Sequence, residues 1–409
     1  MIRLAELTPN FGTGGIETRV ARVVGSLSPD EFTVTWAGFA PPDPGLRAIA
    51  GPQVGMHEFK KRRSRLHLDL RLVGELALHF RRFRPDVVRV HNYATSAYGI
   101  AASRLAGVPQ VIYETAGREH PEGPSLRQVA LLRALGTQVD VVLSVCEFLA
   151  AEARASFGLP KESVRVMPTG VDLDLFSPLH RPATRARFGL PEGAFVFGTI
   201  GIFRSVKRVE DVVEAGVKVL AQHPEAYLLV VGVDESHVVP DAYWAAARAA
   251  GVAERCRFPG RLPAQEAAGA FDVFINASTF EGASNAIIEA MATGAAIVAT
   301  SVGGNPDVVE EGKTGFLVPP QDPAAIESAV LRLAEDRALH RRIAEEARRV
   351  AATRHRISTM VQAYADLFRE LARRPARTPA REAAATVQGI LRGLSAYRSL
   401  RGARPAGRD

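Results

Sequence analysis

The sequence predicts an α/β fold with two doubly wound parallel-sheet domains in series. Three observations carry this. Short apolar runs alternate with helical patterns along most of the chain, the signature of repeated β–α units. The runs fall into two series, separated by the proline-bearing stretch Pro178-Leu179-His180-Arg181-Pro182. A chain of 409 residues also exceeds what one hydrophobic core usually holds.

The first series opens with Ile2–Leu7 and continues through Asp86–Val90, Gln110–Tyr113, Val139–Ser144 and Val164–Met167. The second runs through Phe195–Ile200, Tyr227–Gly232, Arg257-Phe258, Val273–Ile275 and Ala296–Ala299. The expected domains are therefore 1–180 and 181–357. Doubly wound sheets gather ligand loops at the carboxyl ends of their strands, so the cleft between two such domains is the expected site.

Composition narrows the class. A hydrophobic fraction of 47% and a charged fraction of 23% are those of a water-soluble globular chain. Cys146 and Cys256 have neither disulfide nor metal spacing, and Met1–Glu6 has no signal-peptide architecture. No apolar run approaches the roughly 18 residues of a membrane span. A cytoplasmic location is expected, peripheral on the inner face of the cytoplasmic membrane. The net charge of +7 is unevenly spread: 373–409 alone holds nine arginines against Glu382 and Asp409. Residues 1–190 are also basic, while 191–372 are acidic. Such a basic half and tail suit an anionic partner.

The stretch most telling of chemistry is Phe280–Gly294. Glu281 and Glu289 stand eight positions apart across a helix start. At helical rise that is roughly 12 Å, too far for paired glycosidase carboxylates at about 5–9.5 Å. It matches the reach from the sugar of a nucleotide-sugar to its ribose. Between the glutamates, the amides of Gly282, Ala283, Ser284 and Asn285 can face a diphosphate at the positive helix end.

With Ala290-Met291-Ala292, Ile297–Gly304 and Gly312–Val318, this stretch is similar to the donor signature of glycosyltransferase family 4. The resemblance runs from residue 2 to about residue 370. It implies a GT-B fold, two Rossmann-like domains facing a central cleft. It also implies a retaining, metal-independent sugar transfer, with no cofactor and a UDP-sugar or GDP-sugar as donor. In the family the last helix returns to the first domain, here at about 358–372, leaving 373–409 as a basic tail, disordered or amphipathic.

The resemblance also distributes roles. Glu281 holds donor-sugar hydroxyls and Glu289 the ribose. Lys207 and Arg204 meet the departing diphosphate. The family's arginine directly follows the glycine, where this chain has Ile202; in an extended segment Arg204 regains the same face. Gly14 and Gly15, in Thr13-Gly14-Gly15-Ile16-Glu17, resemble the glycine loop lying against the donor. Gly260 and Arg261 resemble the base-contacting loop, and Gly303-Gly304-Asn305 the loop near the donor sugar. Pro168–Asp172 resembles the hinge-side segment. His91 corresponds to an acceptor-side histidine, with acceptor contact or catalysis as its expected role. A second family histidine is replaced by Thr115 or Ala116, leaving Glu114, Arg118 or His120 as acceptor contacts. No metal site is expected.

Lys60–Arg65 precedes a helical stripe, Leu68, Leu72, Leu76 and Phe80, ending in Arg81, Arg82 and Arg84. The stripe is expected to pack on the sheet, with the arginines toward anionic headgroups. Val387, Ile390, Leu391 and Leu394 form a second stripe opposite arginines, an interfacial-helix pattern. The expected activity is hexosyl transfer from a nucleotide-sugar to a hydroxyl acceptor, lipid-linked or in cell-envelope polysaccharide, lipopolysaccharide or glycolipid synthesis. The alternatives are another GT-B enzyme, an epimerase or phosphorylase, and a non-enzymatic basic scaffold. Nucleic acid is not an expected partner, since a scaffold would not need Glu281, Glu289 and Lys207 together.

Overall fold

The computed structural model describes residues 1–12, 14–62, 69–118, 125–160, 163–377, 385, 388–389, 391–393 and 395. The chain divides into two compact units, Met1–Met167 with Met360–Asp409, and Pro168–Thr359. Each is a wholly parallel sheet flanked by helices.

The first unit holds β1 (Ile2–Leu7), α1 (Gly15–Ser26), β2 (Phe32–Gly38), α2 (Pro44–Ala50), β3 (Gly55–Glu58), α3 (Leu70–Phe83), β4 (Val87–His91), α4 (Asn92–Ala106), β5 (Gln110–Thr115), α5 (Leu126–Gly136), β6 (Val141–Ser144), α6 (Glu147–Phe157) and β7 (Val164–Val166). Its strand order is β3-β2-β1-β4-β5-β6-β7. β2 and β3 were not expected from the sequence. β3 is an edge strand, Gly-Met-His-Glu, too polar and short to show a period. The α3 stripe packs inward: Leu72, Leu76 and Phe80 join the core with Val88, Val90 and Val111. Leu68 lies outside the described residues.

The second unit holds α7 (Arg181–Arg187), β8 (Phe195–Ile200), α8 (Val209–Gln222), β9 (Ala226–Val231), α9 (Asp241–Ala249), β10 (Cys256–Arg257), β11 (Val273–Asn276), α10 (Asn285–Ala292), β12 (Ala296–Thr300), α11 (Asn305–Val308), β13 (Gly315–Val318), α12 (Pro323–Glu335) and α13 (Arg337–Arg354). Its order is β10-β9-β8-β11-β12-β13. The strands are apolar on both faces, as parallel strands covered by helices must be; Val273, Phe274 and Ile275 of β11 are all buried.

The units change between Met167 and Pro168, ahead of the expected linker at Pro178–Pro182. Hydrogen bonds explain the shift. Met167 N–H still reaches the Ser144 carbonyl (2.7 Å), whereas Val171 is already bonded to His355 (2.7 Å) and Ile357 (3.0 Å). Pro178–His180 is a short turn leading into α7, whose Arg181 and Arg185 each pair with Asp272 at 2.6 Å.

Helix α14 (Ile357–Ala372) is bound to the first unit through Tyr364 and Phe368, both fully buried. Arg369 pairs with Glu31 (2.7 Å) and Glu370 with Arg165 (2.6 Å). Beyond it, Arg377 binds Asp140 (2.8 Å) and the carbonyls of Thr137 (2.7 Å) and Val139 (3.1 Å). Gly389 and Gly393 are helical and lie against Ala134 and Ala130 of α5. Leu391 is exposed; Val387, Ile390 and Leu394 are outside the described residues. Among the described residues no helix is long and apolar enough to cross a membrane.

Candidate active site

In the second sheet the strand order reverses between β8 and β11, the point where ligands bind in open α/β sheets. Lys207 follows β8 and Glu281 follows β11, so these distant residues meet there. Thr279 N–H donates to the Val206 carbonyl (2.8 Å), tying the two loops together. Lys207 Nζ then lies 2.5 Å from Glu281 Oε1. The same oxygen accepts from Ser278 Oγ (2.8 Å) and Asn276 Nδ2 (3.1 Å). Glu281 is only 8% exposed, and a buried carboxylate needs such partners to stay charged.

The loop after β12 fixes the Glu281 backbone. Gly304 N–H donates to the Glu281 carbonyl (3.1 Å). Gly303 has φ +51°, and a Cβ there would stand 1.9 Å from that carbonyl oxygen, so only glycine fits. Asn305, fully buried, donates to Asn276 Oδ1 (3.2 Å) and the Thr300 carbonyl (3.0 Å).

α10 begins at Asn285, so Glu281 precedes the helix rather than standing in its first turn. The helical part of the Glu281–Glu289 separation is then about 6 Å, not the 12 Å of an unbroken helix. Ser284, the residue before the helix, makes no capping bond to it, and its hydroxyl instead accepts from Asn276 Nδ2 (3.3 Å). The first amides of α10 therefore keep the character of an anion site, beside buried Gly282 and half-buried Ala283. Glu289 is half-buried within α10, whose Ile287, Ile288, Ala290 and Met291 anchor it in the core.

Arg204 is in the Lys207 loop but exposed, with Nε 3.7 Å from Glu235 in the loop after β9. Gly260, after β10, accepts through its carbonyl from Gly232 N–H (2.8 Å), and exposed Arg261 follows it. These loops share the carboxyl edge of the second sheet with Lys207 and Glu281.

In the first unit the order reverses between β1 and β4. Gly14 directly precedes α1 and Gly15 is its first residue. Gly14 makes no left-handed turn: its backbone is ordinary and extended (φ −76°). A Cβ at Gly14 would instead meet the carboxylate of buried Glu17 at 2.4 Å. Burial pushes the Glu17 pKa up. Thr13 lies outside the described residues.

His91 ends β4, fully buried, with Nε2 2.9 Å from Glu6 Oε2 and Nδ1 without a partner. Burial pushes its pKa down, keeping the imidazole neutral against the pull of Glu6. Glu6 also receives Arg89 Nε (2.9 Å); Arg89 reaches Glu114 (3.0 Å), which accepts from Arg19 (2.6 Å) and Tyr364 Oη (2.8 Å). Burial opposes the charge on Glu114, but Arg19 and Arg89 outweigh it and hold its pKa down to about 2. Glu114 is thus committed to this network rather than offered to an acceptor. Arg118 pairs with Glu152 and lies 5.0 Å over the Phe148 ring; His120 is outside the described residues.

Sequence reasoning missed Asn276, Ser278, Glu6, Arg19 and Arg89, and named Asn305 and Glu17 only as members of loop motifs. Two left a signal: Glu6 and Arg89 are charges inside otherwise apolar strands. Among the described residues no group of three or more His, Cys, Asp or Glu could hold a metal.

The fold and these paired switch points define a GT-B protein. The model of Glycosyltransferase Family 4 matches residues 13–175, and that of Glycosyl transferases group 1 matches 194–336. One model thus matches each half of the chain, which resembles these family 4/group 1 glycosyltransferases along most of its length. It is 28% identical over 397 residues to the GDP-mannose-dependent alpha-(1-6)-phosphatidylinositol monomannoside mannosyltransferase of Mycobacterium tuberculosis, covering 90% of this chain and 98% of that one. It is 26% identical to the N-acetyl-alpha-D-glucosaminyl L-malate synthase of Bacillus anthracis, over 73% of this chain and 78% of that one. Its fold resembles HepE of Anabaena, solved with UDP, with a TM-score of 0.78, 22% identity, and coverage of 90% and 100%.

Proposed function

We propose that this chain moves a hexosyl group from a nucleoside diphosphate-sugar to a hydroxyl acceptor with retention of anomeric configuration. One observation carries the reading: the Lys207–Glu281 couple at the sheet switch point, in front of the uncapped start of α10. Glu281 presents its second oxygen to donor-sugar hydroxyls. The amides of residues 282–285, Lys207 and Arg204 receive the diphosphate, whose charge grows as the glycosidic bond breaks. Glu289 receives the ribose hydroxyls, and Gly260-Arg261 the base. Neither glutamate is placed as a nucleophile, so the acceptor oxygen attacks from the face the phosphate leaves. The C1–phosphate bond breaks, the C1–acceptor bond forms, and the acceptor proton passes to a leaving phosphate oxygen. No metal is invoked, because Lys207, Arg204 and helix amides supply the positive charge. His91 is assigned to the buried Glu6 network rather than to the acceptor.

The acceptor is proposed to be lipid-linked or part of a cell-envelope polysaccharide, reached from the cytoplasmic side of the membrane. Support comes from the exposed cations Lys60, Lys61, Arg62, Arg71, Arg81 and Arg82 of the first unit, and from the phosphatidylinositol mannoside named for the mycobacterial relative.

Nucleotide release from a panel of UDP- and GDP-sugars, with and without EDTA, tests the activity. An α-donor should give an α-linked product by NMR, undiminished by EDTA. A β-linked product or a metal requirement overturns the mechanism. Glu289→Ala should weaken donor binding by about 1.5–3 kcal/mol, and unchanged calorimetric affinity removes its ribose role.

A further inference from the structure

We infer that Asn276, Ser278 and Asn305 are positioning residues that decide which oxygen of Glu281 meets the donor sugar; this rests on the glycosyl-transfer reading above. Oε1 of Glu281 receives Lys207, Ser278 and Asn276. Oε2 takes no hydrogen bond from any described residue. The carboxylate is thus divided: one oxygen is saturated by protein, the other is kept for ligand. A terminal carboxylate torsion is soft and roughly two-fold, so nothing in Glu281 itself enforces that division.

The enforcement is a chain of amides with only one workable orientation. The Thr300 carbonyl can only accept, so Asn305 must turn its NH2 toward it (3.0 Å). The same NH2 reaches Asn276 (3.2 Å), which must therefore present its oxygen. Ser278 N–H meets that oxygen too, at 3.4 Å. The Asn276 NH2 is left to face Glu281 Oε1 and Ser284 Oγ. Flipping either amide would set acceptor against acceptor. The arrangement holds although buried Asn305 Oδ1 has no partner. Its members are 7%, 1% and 0% exposed for Asn276, Ser278 and Asn305, so water cannot readily replace a lost bond.

The consequence is a rule for the ligand. An ionised carboxylate only accepts, so the sugar must bring a hydroxyl donor to Oε2. The network should therefore act on the sugar half of the donor and not on the nucleotide half.

Calorimetry of the full chain with UDP, GDP, UDP-glucose, UDP-N-acetylglucosamine and GDP-mannose separates these halves. Wild type, Asn276→Ala, Ser278→Ala and Ser278→Thr are compared, each checked for a cooperative melt. Asn276→Ala and Ser278→Ala should bind the preferred bare diphosphate within about twofold of wild type. The extra affinity for its sugar form should fall about tenfold, the scale of one hydrogen bond to a charged group. Ser278→Thr, which keeps the hydroxyl, should restore it. A parallel fall in diphosphate and sugar-nucleotide affinity, or an undiminished sugar advantage in both alanine variants, overturns the assignment. If wild type binds no member of the panel, the glycosyl-transfer reading falls, and this assignment with it.

Discussion

Gly303→Ala asks whether the Glu281 loop is held by steric fit. The substitution adds one methyl group. At φ +51° a non-glycine residue costs about 1–2 kcal/mol in backbone strain. The new Cβ would lie 1.9 Å from the Glu281 carbonyl oxygen, whereas real Cβ contacts stay above 3.0 Å. The loops must part by about 1 Å, and overpacking of that kind costs about 1–3 kcal/mol. If the loops hold, the second unit loses about 2–5 kcal/mol in all. If they yield, Glu281 moves by about 1 Å and turnover drops on the order of 10²-fold. Gly294→Ala is the control: its φ is +85° but its Cβ would meet nothing within 4 Å. It should cost only the backbone term of about 1–2 kcal/mol and leave turnover near wild type. Denaturant unfolding and single-turnover donor cleavage measure both variants. If Gly303→Ala is no worse than Gly294→Ala in either assay, the clamp on Glu281 is not real.

Three other outcomes are expected. Lys207→Ala should slow turnover by about 10²-fold or more, because it removes a charge that counters one growing in the transition state; a near-normal rate contradicts this. Acid should loosen the first unit in two stages. His91 and half-buried His79 of α3 are held below their ordinary pKa of 6.5 by burial, His79 to about 4, so the stability they lend at neutral pH drains away as pH falls below 6.5. Glu114, held down to about 2 from 4.5, adds a further loss below pH 4.5; an unfolding midpoint flat with pH refutes both. Deleting 378–409 should spare the fold, whereas deleting 375–409 also removes Arg377 from Asp140 and costs about 1–3 kcal/mol more. Only full-length protein should co-sediment strongly with anionic vesicles at low salt; equal binding by the 378–409 deletion shifts the role to Lys60, Lys61 and Arg62.

The two-sheet plan was legible because parallel strands covered on both sides read as continuous apolar runs; β8, β9, β11 and β12 announce themselves this way. β3 does not, since an edge strand needs no apolar face. Glu281, Lys207 and the start of α10 could be located from a local signature. Their contact could not, because it joins residues 74 apart along the chain through a reversal of strand order. The role of Ser278 and Asn276 was hidden for a simpler reason: small polar residues at a strand end and in the loop after it have many uses, and only the folded packing says which oxygen they touch. His91 shows the opposite limit. Its place at a strand end was readable, but not its enclosure with Glu6. The unit boundary was misplaced because Pro178 and Pro182 look like a linker, whereas the change of hydrogen-bond partners at Met167 leaves no compositional mark.

The network of Glu6, Arg19, Arg89 and Glu114 has a bearing on how the chain is made. Four of its charged members are synthesised within the first 114 residues, but Tyr364 closes it from α14. Its ring also covers the Arg89 guanidinium at 4.6 Å. A ribosome therefore releases almost the entire polypeptide before the earliest sheet can be sealed. Until then a balanced set of ions sits under an open lid, wet and loosely ordered. Domains usually complete themselves in the order of their synthesis. Here the amino-terminal unit must wait for α14, and the middle of the chain can be finished first.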